Sequence, residues 1–275
     1  MRLRYVLIGA AVAVVVIFVA GAIIIARTDL APYVARVEAA VKDATGRELK
    51  IKGPVGFRLS LFPTVAAENV SFQNARWGSR PLMAEAKRVE VQVALLPLLT
   101  GDIVIRRLEL VAPDVLLEVN AKGEKNWAFA KPAAAPETKA PPGDGAAVQV
   151  RQVRITKGAL TYRQARPKLE HRAQIDDLRI DASSGYDSVE FNGEGKLNGV
   201  AVALNGSLDN LGRAGAAGAV GDLELTANAG GNKLKASGAV PLSGAGLAGL
   251  DAKVSASVPD AAALQALLQR PVPRL

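Results

Sequence analysis

Residues Tyr5 to Ala26 form a run of 22 positions with no charge and no strongly polar side chain. As a helix such a run is about 33 Å long, against a hydrocarbon core of about 30 Å. A signal peptide has a shorter apolar core, roughly 7–15 residues. Ala20-Gly21-Ala22 resembles a cleavage site, but Ile23-Ile24-Ile25 continues the apolar run past it. The run therefore reads as an uncleaved transmembrane signal anchor over 5–26, with Tyr5, Ile8, Val15, Phe18 and Ile24 among the side chains held in lipid. Residues 1–4 form a short basic tail with Arg2 and Arg4. A tiny basic head stays cytoplasmic while a long following domain is translocated, so the bulk of the chain is expected on the exported side.

Beyond the anchor the hydrophobic period is first helical. Leu30, Tyr33, Val34, Val37, Val41 and Ala44 recur at a 3.6-residue spacing. Pro32 sits in the first turn, where a missing N–H costs little, and Gly46 is placed to end the helix. From Arg47 the period becomes two. Val89, Val91, Val93 and Leu95 alternate with polar residues or alanine, and Val115, Leu117 and Val119 do the same. Later runs at 200–204, 223–225 and 254–256, with Asn-Gly pairs at 192–193, 198–199 and 205–206, continue the pattern. The expected fold is mainly β: a transmembrane helix, an amphipathic helix, then a long antiparallel sheet with one apolar face.

One local shape recurs: apolar, two polar, apolar, any, apolar. It starts at Ala67, Ala86, Ile105, Val150 and Ile175. A spacing of three inside a two-residue period changes which face looks inward, which requires a bulge or bend. Residues 105–118 and 150–163 also share their pattern at an offset of 45, marking two related β units. Between them lies a Pro- and Ala-rich stretch. The expected organisation is an amphipathic helix plus first β unit at 27–130, a linker or loop at 131–146, and a second β unit at 147–258. A short helix and tail at 259–275 follow, with Pro259 opening the helix. The final Arg270-Pro-Val-Pro-Arg-Leu275 reads as an architecture interrupted, either a fragment or a truncated end.

Catalytic chemistry has little to work with. There is no cysteine and one histidine, His171, in what reads as a polar turn. That removes thiol nucleophiles, Cys-ligated metals and His-rich metal sites. Asp176-Asp177 is a paired carboxylate, but neighbours on a strand point to opposite faces, so a structural role is expected. Gly193-Glu-Gly195 lacks the strand–helix context of a phosphate loop. No enzyme activity, metal or cofactor is expected. The net charge of +8 is spread along the chain without interleaved aromatics, so nucleic acid is not an expected partner. A 49 % hydrophobic, 4 % aromatic chain builds an aliphatic sheet, and its apolar face needs a cover. Without one it must curl, pair, or expose a trough that marks a binding site.

Several pieces resemble the N-terminal region of the AsmA family. They are Thr-Gly-Arg47 at the helix end, Gly-Pro-Val55 leading to Leu-Ser-Leu-Phe-Pro63, AENVSFQNA (67–75) and AKRVEVQVALLPLLTGDIVIRRLEL (86–110). Gly123 followed by Asn126-Trp127, VRITKGALTYR (153–163) and AQIDDLRIDA (173–182) complete the set. The likeness runs from residue 1 to about 210. It implies an inner-membrane anchor with a cytoplasmic N-terminus, and a periplasmic body folded as an elongated, curved, taco-like β-groove. It implies a role in phospholipid transport or outer-membrane assembly. Family members are usually much longer. On this reading Val89, Val91, Val93, Val115, Leu117 and Val119 line the groove, and the partners are phospholipids, the inner membrane and envelope-assembly proteins. The other expectation is a structural adaptor of envelope assembly that pairs its strand edges with a partner.

Overall fold

The computed structural model describes residues 31–58, 60, 62–95, 97, 104–129, 149–183, 185, 187–211, 219–242 and 250–269. Helix α1 (Ala31–Thr45) is the first element of the described residues. It ends as the sequence predicts: Gly46 takes φ +70° and its N–H reaches the Lys42 carbonyl at 2.7 Å. Two short strands follow, β1 (Leu49–Ile51) and β2 (Val55–Arg58). Then come β3 (Thr64–Gln73), β4 (Leu82–Val93), β5 (Val104–Val119), β6 (Gln149–Val150) and β7 (Gln152–Gln164). The series continues with β8 (Leu169–Ala182), β9 (Val189–Leu197), β10 (Val200–Asp209), β11 (Val220–Ala229), β12 (Asn232–Pro241) and β13 (Asp251–Ser257). Helix α2 (Ala261–Leu268) closes the described chain. It begins where Pro259 predicts, with the Asp260 carboxylate accepting from the Ala263 N–H.

All thirteen strands form one open sheet, in the order β1-β3-β4-β5-β7-β8-β9-β10-β11-β12-β13, with β2 on β3 and β6 on β5. Its two outer strands do not meet, so it is not a closed barrel. Ten steps of about 4.8 Å make it about 48 Å across. The sheet is antiparallel except where β5 runs parallel to β6 and β7, which corrects the all-antiparallel expectation. A parallel pair needs a crossover of a dozen residues or more, and the segment between Val119 and Gln149 supplies it. The register of β5 on β7 is itself the 45-residue offset: Val115 faces Leu160, Leu117 faces Tyr162 and Glu118 faces Arg163. The strands either side of the Pro-rich stretch lie flank to flank with equivalent positions aligned.

Each recurring three-residue spacing meets an irregularity in the sheet. Arg106 is an extra residue against β4, Asp176 is an extra residue against β9, and Arg151 separates β6 from β7. Asn69, Ala112 and Lys157 take positive φ of 48–53°, and Lys87 lies between Asn69 and Ala112 in the ladder. Asn69, Lys87, Ala112, Lys157 and Asp176 therefore form one crease across five adjacent strands. A left-handed residue reverses the alternation at its own position. When every strand reverses at the same line, the apolar side chains stay on one face across it. Gly158 confirms this locally. A Cβ built there sits 2.9 Å from Ile155 Cγ2 and 3.5 Å from Ile175 Cβ, so residues three apart share a face.

Candidate functional site

The ladder registers assemble long rows of like character. One row runs Val55, Ala67, Val89, Leu110, Ile155, Leu178, then Gly193, Leu204, Ala227, Leu234 and Ala256. The next runs Phe57, Val65, Val91, Leu108, Val153, Ile180, then Phe191, Gly206, Leu225, Ala236 and Val254. Neither contains a polar side chain. The row between them faces the other way and is wholly polar from Glu90 through Glu109, Arg154, Arg179, Asn192, Asn205, Thr226 and Lys235 to Ser255. Over these rows, two-residue alternation in each strand sets an apolar face against a polar one.

The six predicted lining residues all fall on the apolar face. Val89, Val91 and Val93 alternate along β4, and Val115, which pairs with Ala84, continues through Leu117 to Val119 along β5. All six are half-buried. The predicted anchor residues Tyr5, Ile8, Val15, Phe18 and Ile24 lie outside the described residues, and among the described residues no helix is long and apolar enough to cross a membrane. Among the described residues the buried apolar side chains of the core are Met83, Val104, Leu116 and Ala219, none of them in the two rows. Helix α1 lies at the β1 edge, where Glu38 accepts from the Ile51 N–H at 2.9 Å. Helix α2 lies across hairpin ends, where Asn198 donates to the Leu267 carbonyl and Asn232 exchanges hydrogen bonds with Asp260. No described element covers the apolar rows.

The face deepens over β8–β10 into a hollow of about 250 Å³. Ile175, Leu178, Val202 and Leu204 form its walls, and Gly193 and Gly195 leave its floor without side chains. A Cβ at Gly193 meets Leu178 Cδ1 at 2.9 Å, and one at Gly195 runs into the Gln174 carbonyl. The volume is below the roughly 300–1,000 Å³ of a small-molecule cleft, so the hollow is a depression in a longer apolar surface. In sequence these two glycines lack the strand–helix context of a phosphate loop. Their role comes from the register that sets Gly193 between Leu178 and Leu204 and Gly195 between Ile175 and Val202.

The polar face is laced with ion pairs. Arg88 bridges Glu68 and Glu90, Arg154 meets Asp177 at 2.8 Å, and Arg179 meets Asp181 at 2.7 Å. Solvent-exposed pairs contribute little stability; these keep one face wet while the other stays oily. Asp176 and Asp177 serve this structure as expected, one as the extra residue of the crease and one as the partner of Arg154. His171 lies inside β8, opposite Tyr162 and beside Asn198 at 2.9 Å, not in a turn.

A buried polar knot secures the β5 end of the sheet. Past Val115 the β4 pairing stops, and the Asn126 side chain takes over as a substitute strand. Its Oδ1 accepts from the Glu118 N–H, and its Nδ2 donates to the Leu116 carbonyl and to Asn74 Oδ1. Glu118 accepts from Ser79 N–H, Ser79 Oγ, Asn74 Nδ2 and Arg163. Burial pushes the Glu118 carboxyl up, but the Ser79 and Asn74 hydrogen bonds and the Arg163 charge outweigh it and hold it below its ordinary value. A depressed carboxylate stabilises the fold fully above its unfolded pKa and loses that contribution as pH falls through its folded pKa. Between pH 7 and pH 3, urea midpoints are expected to fall further for the native protein than for Glu118→Gln. Equal falls in the two proteins contradict this.

The model of the AsmA family matches residues 1–271. The chain belongs to the AsmA family. A comparison with curated proteins gives no match. The pieces that carry the likeness are structural parts of this AsmA-family chain. AENVSF and AKRVEV are the crease in β3 and β4, and Asn126-Trp127 is the knot with Trp127 set against Tyr162 at 6.3 Å.

Proposed function

We propose that this AsmA-family protein binds phospholipid acyl chains along the apolar face of its sheet. The sheet then works as a groove held at the inner membrane by the 5–26 anchor, with the N-terminus cytoplasmic and the bulk periplasmic. The protein contributes in this way to phospholipid transport or outer-membrane assembly, by partitioning lipid without covalent chemistry. The observation that carries the proposal is the pair of apolar rows crossing eleven strands with no described element over them. A surface of that extent is a binding surface in a water-facing protein, and acyl chains match its aliphatic character and its lack of hydrogen-bonding groups.

The test is chemical. The body beyond residue 27 is exported to the periplasm, purified without detergent, extracted with organic solvent and assayed for phospholipid by mass spectrometry. Near-stoichiometric phospholipid is expected. Gly193→Leu fills the hollow with a side chain whose first contact is the movable end of Leu178, and is expected to lower occupancy at least severalfold in a folded protein. A folded, lipid-free native protein instead favours the adaptor reading, which draws on the exposed strand β13.

A further inference from the structure

The two outer edges of the sheet are built differently. At the β1/β2 edge the strands are short and are interrupted at Gly53-Pro54. Helix α1 lies alongside, Glu38 takes the Ile51 N–H, and Lys50 pairs with the same carboxylate. Short strands, proline and a covering helix are the devices that stop an edge from pairing with another chain. The β13 edge has neither a proline nor a covering helix, and its protection is limited to the charges of Asp251 and Lys253. It is seven residues long without proline, and among the described residues its one strand partner is β12. Helix α2 leaves it and turns back over the hairpins at Asn198 and Gly230. Val254, at its middle, is 61 % exposed, more than any other large apolar side chain described.

We infer that β13 is the interface between two copies of this chain, paired antiparallel about a two-fold axis through Val254. The strand reads Asp251-Ala-Lys-Val-Ser-Ala-Ser257 and is self-complementary about that centre. Val254 meets Val254 of the second copy, Ala252 meets Ala256, Lys253 meets Ser255, and Asp251 meets Ser257. No like charges are opposed. Sliding the register so that Lys253 faces its own copy opposes two lysines, which is destabilising, so one register is favoured. A two-fold axis perpendicular to the sheet keeps both apolar faces on the same side. The Val254 row runs straight into its copy, and the row ending at Ala256 continues into the row of Leu208, Leu223 and Ala252. The apolar surface doubles in length without a break. This inference stands on the edge alone and does not rest on lipid being the ligand.

The absence of native cysteine makes the register testable in the full chain, held in detergent micelles. Val254→Cys is expected to form a disulfide or bismaleimide-linked dimer. Ala252→Cys alone and Ala256→Cys alone are not, because each lies about 13 Å from its own copy, at four residues of about 3.3 Å. Mixing the Ala252→Cys and Ala256→Cys proteins restores the link. Val254→Lys is expected to convert a dimer, seen by sedimentation, into a monomer of unchanged circular dichroism. A native protein that sediments as a monomer overturns the inference, as does Val254→Cys that links no faster than the Ala252→Cys control. Repeated in intact envelopes, a Val254→Cys adduct to a different protein also overturns it.

Discussion

Val91→Asp is expected to leave a folded protein that carries no phospholipid. Val91 lies in the second apolar row between Val65 and Leu108, half-buried and with no described element above it. In the lipid-free sheet an aspartate there keeps its water, so the cost to folding is the lost burial of a valine, about 1 kcal/mol. An acyl chain laid on the same row must strip that water away. Desolvating an unpaired carboxylate costs several kcal/mol, and each 1.4 kcal/mol is about tenfold in affinity, so occupancy falls by a hundredfold or more. Phospholipid per mole of protein, measured on solvent extracts with circular dichroism as the folding control, reads the result. Unchanged phospholipid in a folded Val91→Asp protein removes this row from the lipid path.

The largest loss of stability is expected at Asn126, a polar residue with no exposed surface. Asn126→Ala strips partners from the Glu118 N–H, the Leu116 carbonyl and Asn74 in one change. A buried group left unpaired costs roughly 1–3 kcal/mol, so the sum is expected at about 3 kcal/mol or more. Trp127 is the next residue and packs beside Tyr162, so its fluorescence reports unfolding where the damage is made. A shift in urea midpoint equivalent to less than about 1 kcal/mol means that water enters and replaces the lost amide.

The apolar face was readable from sequence because alternation is a local property. Val89, Val91 and Val93 share a face in any strand, whatever lies beside it. The recurring three-residue spacing was readable for the same reason, since it breaks the local period. Features set by neighbours were not readable. Alternation is the same in parallel and antiparallel strands, so the β5–β7 pair was missed, although a long Pro-rich connection was its available signal. Ala112 and Lys157 carry positive φ without being glycine or asparagine, and only the alignment of their strands explains why. The hollow at Gly193 depends on Leu178 and Leu204 arriving at one ladder position. Asn126 reaches a partner 52 positions away in Asn74, and no spacing rule links the two.

The single-layer sheet has a consequence for how the molecule comes apart. A globular domain has a centre, and losing it loses everything at once. Here the interior strands lean chiefly on the two strands at their flanks, as links do in a chain. Stability is then a sum of neighbour-to-neighbour terms, in the manner of repeat proteins. Damage at one position spreads only as far as the next few links. The knotted β3–β8 half is then expected to outlast the glycine- and alanine-rich half.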